Sequence, residues 1–303
     1  ASLDELEELA ETAGAETVAK VIQHREAVHP GTYIGKGKIE EVASLLRALD
    51  ANGVICDDEL SPAQLNNLER ELDCKVMDRT LLILDIFAGR AVSSEGKIQV
   101  ELAQLRYRAA RLVGLRESLS RLGGGIGTRG PGEKKLETDR RLIRTRISAL
   151  KVELAQVEKH RELIRGKRSR GNLKTAAIVG YTNAGKSTLL NTLTGAGILA
   201  EDKLFATLDP TTRVLELKDG QQILLTDTVG FIRKLPHHLV EAFKSTLEEA
   251  KYADYIIHVV DASNPQAELQ MFTVYETLRE LGATGKKIVT LLNKQDQVTG
   301  SGI

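Results

Sequence analysis

Eight consecutive residues in the second half of the chain carry the strongest chemical signal. Gly180–Ser187 reads G-x-x-x-x-G-K-S; Thr175–Val179 before it predicts a strand and Thr188–Leu193 after it a helix. Glycines let backbone N–H groups surround phosphate oxygens, and a helix N-terminus adds partial positive charge. The pattern therefore predicts a phosphate-binding loop in which Lys186 reaches the β and γ phosphates and the Ser187 hydroxyl binds Mg²⁺.

A second motif follows an apolar run that predicts another strand. Ile223–Thr226 leads into Asp227–Gly230, which reads D-x-x-G. We expect Asp227 to hold the metal through water. We expect the Gly230 N–H to contact the γ-phosphate and to move on hydrolysis.

A third motif selects the base. Asn293–Asp296 reads N-K-x-D and follows the apolar run Ile288–Leu292. A carboxylate at Asp296 accepts two N–H bonds from guanine N1 and N2, which adenine does not offer, so the motif favours GTP and GDP over ATP. Asn293 is expected to shape the base pocket, and the Lys294 stem to cover one face of the base.

The segment between the first two motifs should hold a switch threonine that completes the Mg²⁺ coordination. Phe205–Arg213 contains Thr207, Thr211 and Thr212. Spacing alone does not choose among these three threonines.

Two neighbouring residues bear on the hydrolysis step. Ras-like enzymes orient the attacking water with a glutamine after the D-x-x-G glycine, but here Phe231 stands there and offers neither donor nor acceptor. We therefore expect slow intrinsic hydrolysis. Asn183 lies where K⁺-dependent GTPases carry an asparagine. It has two interpretations, a K⁺ ligand or an ordinary loop hydrogen bond.

The first third of the chain alternates short apolar runs with amphipathic stretches, which predicts a small α/β domain over residues 1–93 with a parallel sheet. The predicted helices are Asp4–Ala13, Ile39–Leu49, Ser61–Asp73 and Leu81–Phe87, and the predicted strands are Thr17–His24, Gly53–Cys56 and Lys75–Met77.

Residues 94–167 carry two heptad-like apolar seams separated by a break, which predicts a long antiparallel helical hairpin. The seam positions are Ile98, Leu102, Leu105, Ala109 and Leu112, then Leu136, Ile143, Ile147, Leu150, Leu154 and Val157. The break, Gly123–Gly132, has six glycines in ten residues, more than a helix–helix turn needs. Residues 168–172 read as a linker to a final domain over 173–303.

Charge is divided unevenly along a chain whose 42 basic and 42 acidic side chains cancel. Residues 1–105 hold 10 basic and 20 acidic side chains, whereas residues 106–170 hold 19 basic and 7 acidic. A long basic hairpin with a glycine tip suits a crevice of folded RNA, although a solvated arginine-rich face is the plainer interpretation. The candidate RNA contacts are Arg129, Lys134, Lys135, Arg140, Arg141 and Arg144.

Composition excludes several classes of protein. No apolar run is long enough to span a membrane, and the first ten residues contain four acids and no basic residue, so no secretory signal is expected. Cys56 and Cys74 have no metal-ligand spacing and are interpreted as reduced thiols. We expect a cytoplasmic monomer.

Taken together, Gly180–Ser187, Asp227–Gly230 and Asn293–Asp296 resemble the motifs of translational GTPases related to Era, Obg and Ras. The glycine-rich run with the following Glu133–Arg141, and also Tyr33–Lys38, resemble one family in particular, HflX. This resemblance extends over nearly the whole chain.

The resemblance implies a GTPase that binds the large ribosomal subunit and its rRNA and separates the subunits of stalled or stressed ribosomes. The hairpin tip would reach rRNA near the peptidyl-transferase centre. Matching the family's Phe-Ala-Thr-Leu-Asp segment selects Thr207 as the switch metal ligand. An rRNA-binding assembly factor that uses GTP as a placement switch is the alternative function, and a coiled-coil scaffold is a third.

The residues assigned on this basis fall into three groups. Catalytic roles are expected for Lys186, Thr207 and Gly230, and metal binding for Ser187, Thr207 and Asp227. The candidate nucleotide-binding residues are Gly180, Tyr181, Thr182, Asn183, Ala184, Gly185, Lys186, Ser187, Thr188, Phe205, Ala206, Thr207, Leu208, Asp209, Asp227, Thr228, Val229, Gly230, Asn293, Lys294 and Asp296.

The expected fold class is thus α/β, with an N-terminal α/β domain, a helical hairpin and a doubly wound P-loop GTPase domain. Because residue 303 follows Asp296 so closely, we expect that domain to be incomplete, with an exposed sheet edge and weakened guanine affinity.

Overall fold

The computed structural model describes residues 2–122, 131–170, 173–195, 203–235, 239 and 247–298, and only the backbone of helical residues 113–122, 131–135 and 164–170. The chain divides into two compact units. The first unit comprises Ala1–Ile86 and Glu101–Val152, and the second comprises Phe87–Val100 and Glu153–Ile303.

The first unit is built on two short parallel strands, as the sequence predicted. Its elements are α1 (Ser2–Thr12), α2 (Lys36–Ala48), β1 (Gly53–Cys56), α3 (Pro62–Leu72), β2 (Lys75–Asp78) and α4 (Arg79–Arg90), of which α4 continues into the second unit. Val54 of β1 lies opposite Val76 of β2. Ile39 and Leu68 from the flanking helices pack with Val76 in one apolar core.

A capping box starts α3 as the Ser-Pro pair predicted. The Ser61 hydroxyl accepts a hydrogen bond from the Gln64 N–H at 3.2 Å, and the Gln64 side chain accepts one from the Ser61 N–H at 2.9 Å. Pro62 occupies the first helical position, where its missing N–H is not needed.

One predicted strand is wrong. Residues 17–24 have no regular secondary structure and join neither β1 nor β2. Val18 and Ile22 are 49% and 60% exposed, and only Val21 packs against the core. Four of the eight residues are β-branched, as is typical of a strand, but no strand among the described residues supplies the hydrogen-bond ladder that a strand requires.

Two long helices, α5 (Ser94–Leu122) and α6 (Pro131–Arg170), lie where the two arms of the hairpin were predicted. Within the first unit they run antiparallel, because Glu101 binds Arg146 at 2.7 and 2.8 Å while Leu112, further along α5, lines a groove with Leu142 and Ile143. The seam faces inward along α6, where Leu150 is fully buried.

The boundaries of α6 differ from the prediction at both ends. Pro131 and Gly132 belong to the helix, since proline is tolerated in the first turn. The predicted linker is wrong over residues 168–170, because α6 continues to Arg170. The rest of the glycine-rich tip, residues 123–130, and residues 171–172 lie outside the described part of the chain.

The second unit contains a five-stranded sheet of order β4-β5-β3-β6-β7. Its strands are β3 (Lys174–Gly180), β4 (Thr211–Glu216), β5 (Gln222–Asp227), β6 (Tyr255–Asp261) and β7 (Lys287–Asn293); its helices include α7 (Lys186–Thr194), α8 (residues 247–252) and α9 (Ala267–Glu280). Only β4 is antiparallel, and β4 and α9 were not among the predicted elements.

Strand β7 forms one edge of this sheet, as expected, and six of its seven residues are exposed. Val289 and Leu292 leave 53% and 55% of their surface in contact with solvent. Among the helices that the structure describes, none combines the length and apolar character needed to cross a lipid bilayer.

Candidate nucleotide-binding site

The phosphate-binding loop lies at the carboxyl end of the central strand. β3 pairs with β5 on one side and with β6 on the other, so the loop after Gly180 opens where the chain changes direction across the sheet. Open α/β sheets bind ligands at this position. Gly180–Ser187 therefore leads from β3 into α7 as the motif predicted.

Lys186 is held inside this loop. Its Nζ donates to the Tyr181 carbonyl at 2.8 Å, and the residue is only 6% exposed. Burial lowers the pKa of Lys186 to about 8, although the nearby Asp227 carboxylate acts in the opposite direction. A buried ammonium group in this position is poised for an anionic ligand.

Three oxygen-bearing side chains from three different elements meet beside the loop. The Ser187 hydroxyl donates to Asp227 at 2.6 Å and lies 2.8 Å from the Thr207 hydroxyl. Burial raises the pKa of Asp227, and hydrogen bonds from Ser187 and Thr207 oppose the shift. Of the two Asp227 oxygens, Oδ1 is buried without a hydrogen-bond partner in the described structure. Hard oxygen ligands with an unsatisfied carboxylate oxygen fit Mg²⁺.

The backbone of Gly230, in the second motif, lies close against the phosphate-binding loop. A Cβ atom at this position would lie 2.6 Å from the Thr182 Cα and 3.0 Å from the Lys186 Nζ, so only glycine fits. The neighbouring backbone is paired, because Thr182 N–H donates to the Phe231 carbonyl at 2.7 Å and Phe231 N–H to the Gly180 carbonyl at 3.0 Å.

The third motif is joined to the same loop through its asparagine. Asn293 Nδ2 donates to the Ala184 carbonyl at 2.9 Å, beside Gly185, whose φ of +94° and contact with Asn293 leave no room for a side chain. Lys294 Nζ lies 3.0 Å from an Asp261 oxygen. Asp296 is exposed in a 3-10 turn immediately after β7.

One cleft collects ten of the 21 predicted nucleotide-binding residues. Its lining consists of Thr182, Asn183, Gly185, Lys186, Ser187, Thr188, Lys203, Phe205, Ala206, Thr207 and Gly230. Sequence reasoning missed Lys203, which no motif contains, and also Asp261, the partner of Lys294. A lysine two residues before the Phe205 segment is the only signal that could have suggested the first of these.

Several predicted residues do not reach the cleft with their side chains. Leu208 and Val229 are buried in the core, and the Thr228 hydroxyl donates to the Ile178 carbonyl at 2.8 Å. Tyr181 is buried, and its hydroxyl accepts a hydrogen bond from the Arg233 N–H at 2.9 Å. Asp209 turns away from the cleft altogether, toward the start of α5.

The predicted RNA contacts are only partly described. Arg129 lies outside the described residues, and nothing is described of the side chains of Lys134 and Lys135. Arg140 lies 3.6 Å from Glu137, whereas Arg141 and Arg144 are exposed and form no ion pair with any residue the structure describes.

Comparison with known sequence families divides the chain into three parts. Residues 1–88 match the family described as GTP-binding GTPase N-terminal, residues 90–168 match its middle region, and residues 175–294 match the 50S ribosome-binding GTPase family. The GTPase HflX of Lacrimispora saccharolytica is 74% identical over 295 residues, which cover 97% of this chain and 70% of that protein. The chain belongs to the HflX family of GTPases.

Another member of the HflX family and two solved structures are also similar to this chain. GTPase HflX of Escherichia coli is 49% identical, with 98% of this chain and 70% of that protein covered. The crystal structure of SsGBP with GDP has a TM-score of 0.56 at 31% identity, covering 98% of this chain and 81% of that one. A GTP-binding protein of Sulfolobus solfataricus in complex with GDP has a TM-score of 0.50 at 30% identity, covering 98% and 80%. The chain is a GTP hydrolase of the HflX family, with a P-loop GTPase domain.

Proposed function

We propose that this GTPase binds the large ribosomal subunit in its GTP state and promotes dissociation of the ribosomal subunits. The observation that carries the proposal is one chain with a guanine nucleotide site and a basic two-helix hairpin whose Arg141 and Arg144 have no acidic partner among the described residues. The match of residues 175–294 to a family described as 50S ribosome-binding supports the same partner.

The residues in and around the cleft support the nucleotide-binding part of the proposal. Lys186 would contact the β and γ phosphates, and Gly230 would bring its N–H to the γ-phosphate without a side chain in the way. Ser187, Thr207 and Asp227 are the residues that would hold Mg²⁺, with Asp227 acting through water. Bound there, the ion would neutralise charge on the phosphates. Asp296 would accept the guanine N–H groups.

We further propose that intrinsic hydrolysis is slow. The Phe231 side chain is 1% exposed and its backbone is paired with the phosphate-binding loop, so it neither enters the cleft nor orients water. The ribosome would supply the missing group. Hydrolysis by the isolated protein at several turnovers per second would contradict this proposal.

Asn183 is the candidate K⁺ ligand. It lies in the wall of the cleft and has a φ of +59°. Comparing hydrolysis rates in KCl and NaCl tests this role.

Sedimentation of intact ribosomes tests the central proposal. We expect the protein with GTP or a non-hydrolysable analogue to convert intact ribosomes into separate subunits, whereas GDP leaves them joined. Lys186→Ala should abolish this nucleotide response, with Lys218→Ala, an exposed lysine remote from the cleft, as its control. Binding to the large subunit without separation would favour the assembly-factor alternative. Absence of binding in every nucleotide state would reject both.

The hairpin is tested by neutralising three arginines. Arg140, Arg141 and Arg144 changed to glutamine should weaken large-subunit binding. The slope of log affinity against log salt should fall by about 1 for each lost phosphate contact. A control that neutralises Arg213, Lys218 and Lys287, all exposed on the second unit, should leave the slope unchanged. Equal slopes in the two triple variants would remove the hairpin from the RNA interface.

A further inference from the structure

The carboxylate of Asp209 lies on the start of a helix that is far away in sequence. Its Oδ2 accepts the backbone N–H groups of Val92 at 2.9 Å and of Ser93 at 2.8 Å, and its Oδ1 accepts the Ser93 hydroxyl. Ser93 Oγ in turn accepts the Gly96 N–H at 2.8 Å. Val92 and Ser93 directly precede α5, so Asp209 places a negative charge beside the partially positive N-terminus of that helix.

An aromatic contact fastens the same segment a few residues earlier. The Phe205 ring meets the Phe87 ring edge-on, with centroids 4.7 Å apart and planes at 79°. The Phe205 backbone N–H donates to the Thr182 hydroxyl in the phosphate-binding loop at 2.8 Å. The segment therefore touches the loop on one side and the residues that precede α5 on the other.

Thr207 lies midway between these anchors. Its hydroxyl is 2.8 Å from Ser187, the proposed Mg²⁺ ligand, while Asp209 is seated on α5. Two residues of extended chain reach at most about 7 Å, so Thr207 stays within that distance of Asp209 for as long as Asp209 holds the start of α5. GTPase switch segments are held by the γ-phosphate and its metal and are released on hydrolysis.

We infer that Asp209 is a positioning residue that couples the nucleotide state to α5, the first helix of the hairpin. With GTP bound, Thr207 is held at the metal site and Asp209 caps α5. Hydrolysis releases the segment that contains Thr207, and Asp209 then leaves the start of α5. The inference deepens the proposed function, since the hairpin it acts on is the proposed ribosome-binding element.

Hydrogen exchange of the full chain at saturating nucleotide tests this coupling. The amides of Val92 and Ser93 should exchange more slowly with a non-hydrolysable GTP analogue than with GDP, by a factor of about five or more. This factor corresponds to the stabilisation that a helix cap typically contributes. Asp209→Ala should make exchange fast in both states, whereas Asp219→Ala, an exposed turn carboxylate, should keep the difference. Equal exchange of these amides in the two states of the unmodified protein would overturn the inference.

A second variant reads the coupling from the other end. Coupling between two sites is reciprocal. Disturbing the contact of Asp209 with Val92 and Ser93 must therefore weaken binding of the GTP analogue relative to binding of GDP. A Cβ at Gly96 would lie 2.4 Å from the Asp209 Oδ1, whereas one at Gly89, in α4, meets nothing within 4 Å. Gly96→Ala should lower the ratio of analogue affinity to GDP affinity by about fivefold or more, and Gly89→Ala should not. An unchanged ratio in Gly96→Ala would overturn the inference. Failure to bind ribosomes would leave both measurements intact, so the two proposals fail separately.

Discussion

The charge on Lys186 should make nucleotide binding depend on pH. Burial lowers the pKa of this side chain to about 8, and a bound triphosphate or diphosphate would raise it again by favouring the ammonium form. Binding above pH 8 must therefore take up a proton. We expect GDP affinity to be level below pH 8 and to fall as pH rises toward 9, by up to about tenfold per pH unit.

Fluorescence titration with labelled GDP between pH 7 and pH 9 measures this dependence. Lys186→Arg is the matched control, because an arginine stays charged throughout this range. The GDP affinity of this variant, whatever its value, should therefore not change with pH. The same fall in both proteins would assign the titration to another group.

His258 should weaken the fold in acid. This residue of β6 is 1% exposed, its Nδ1 has no hydrogen-bond partner in the described structure, and its ring meets Tyr275 edge-on. Burial, aided by the charge of Lys186, lowers the pKa of His258 to about 4 from its usual 6.5. The unfolded chain thus takes up a proton more readily than the folded protein as pH falls from about 6.5 to about 4. The free energy of unfolding should decrease across that window and be insensitive to this group above it.

Chemical denaturation at pH 7 and pH 5 of the unmodified protein and of His258→Gln isolates this contribution. The loss between the two pH values should be smaller in the variant, which carries no titratable ring. An identical loss in both proteins would show that other groups dominate.

At the scale of elements, the start of α3 is specified by a short local pattern. Ser61→Ala removes the cap hydroxyl that accepts the Gln64 N–H and should lower the free energy of unfolding by about 1 kcal/mol. Ser44→Ala is a matched control, because that hydroxyl donates to the Glu40 carbonyl within α2, where alanine is the better helix former. Denaturant unfolding that gave equal losses would argue against the cap.

Elements whose signals are local were predictable, and those that need a distant partner were less so. The Ser-Pro start of α3 and the apolar core of β3 were found because their causes lie within the segment. Residues 17–24 carry a strand-like pattern yet remain irregular, since a strand forms only where another strand accepts its hydrogen bonds. The end of α6 was missed because its polar residues favour a linker as readily as a solvated helix.

At the scale of the whole molecule, a bound nucleotide should stabilise only the unit that contains its site. All the cleft-lining residues lie in the second unit. A ligand present at 100 times its Kd adds about 2.7 kcal/mol to the folded state that binds it. Calorimetry with saturating GDP should therefore move the unfolding of the second unit to higher temperature and leave that of the first in place. Movement of both transitions together would mean that the two units unfold as one.

Local patterns in the sequence were enough to predict the chemistry of this protein, its fold class and the order of its parts. Each of the three nucleotide-binding motifs places its functional groups within a few residues of one another. Local spacing is therefore enough to identify a phosphate-binding loop at Gly180–Ser187, a switch motif at Asp227–Gly230 and a guanine-binding motif at Asn293–Asp296. The division of charge that marks the hairpin is likewise a property of composition, which needs no coordinates.

Which side chains meet became evident only from the folded chain. Ser187 touches Thr207 across 20 positions and Asp227 across 40, and Asp209 reaches Ser93 across 116. Spacing left three threonines open for the metal site, and the family resemblance assigned Asp209 to the nucleotide, whereas the fold turns the Asp209 carboxylate toward α5. Side-chain direction depends on the backbone path and on the neighbours it meets, and neither is encoded in a local pattern.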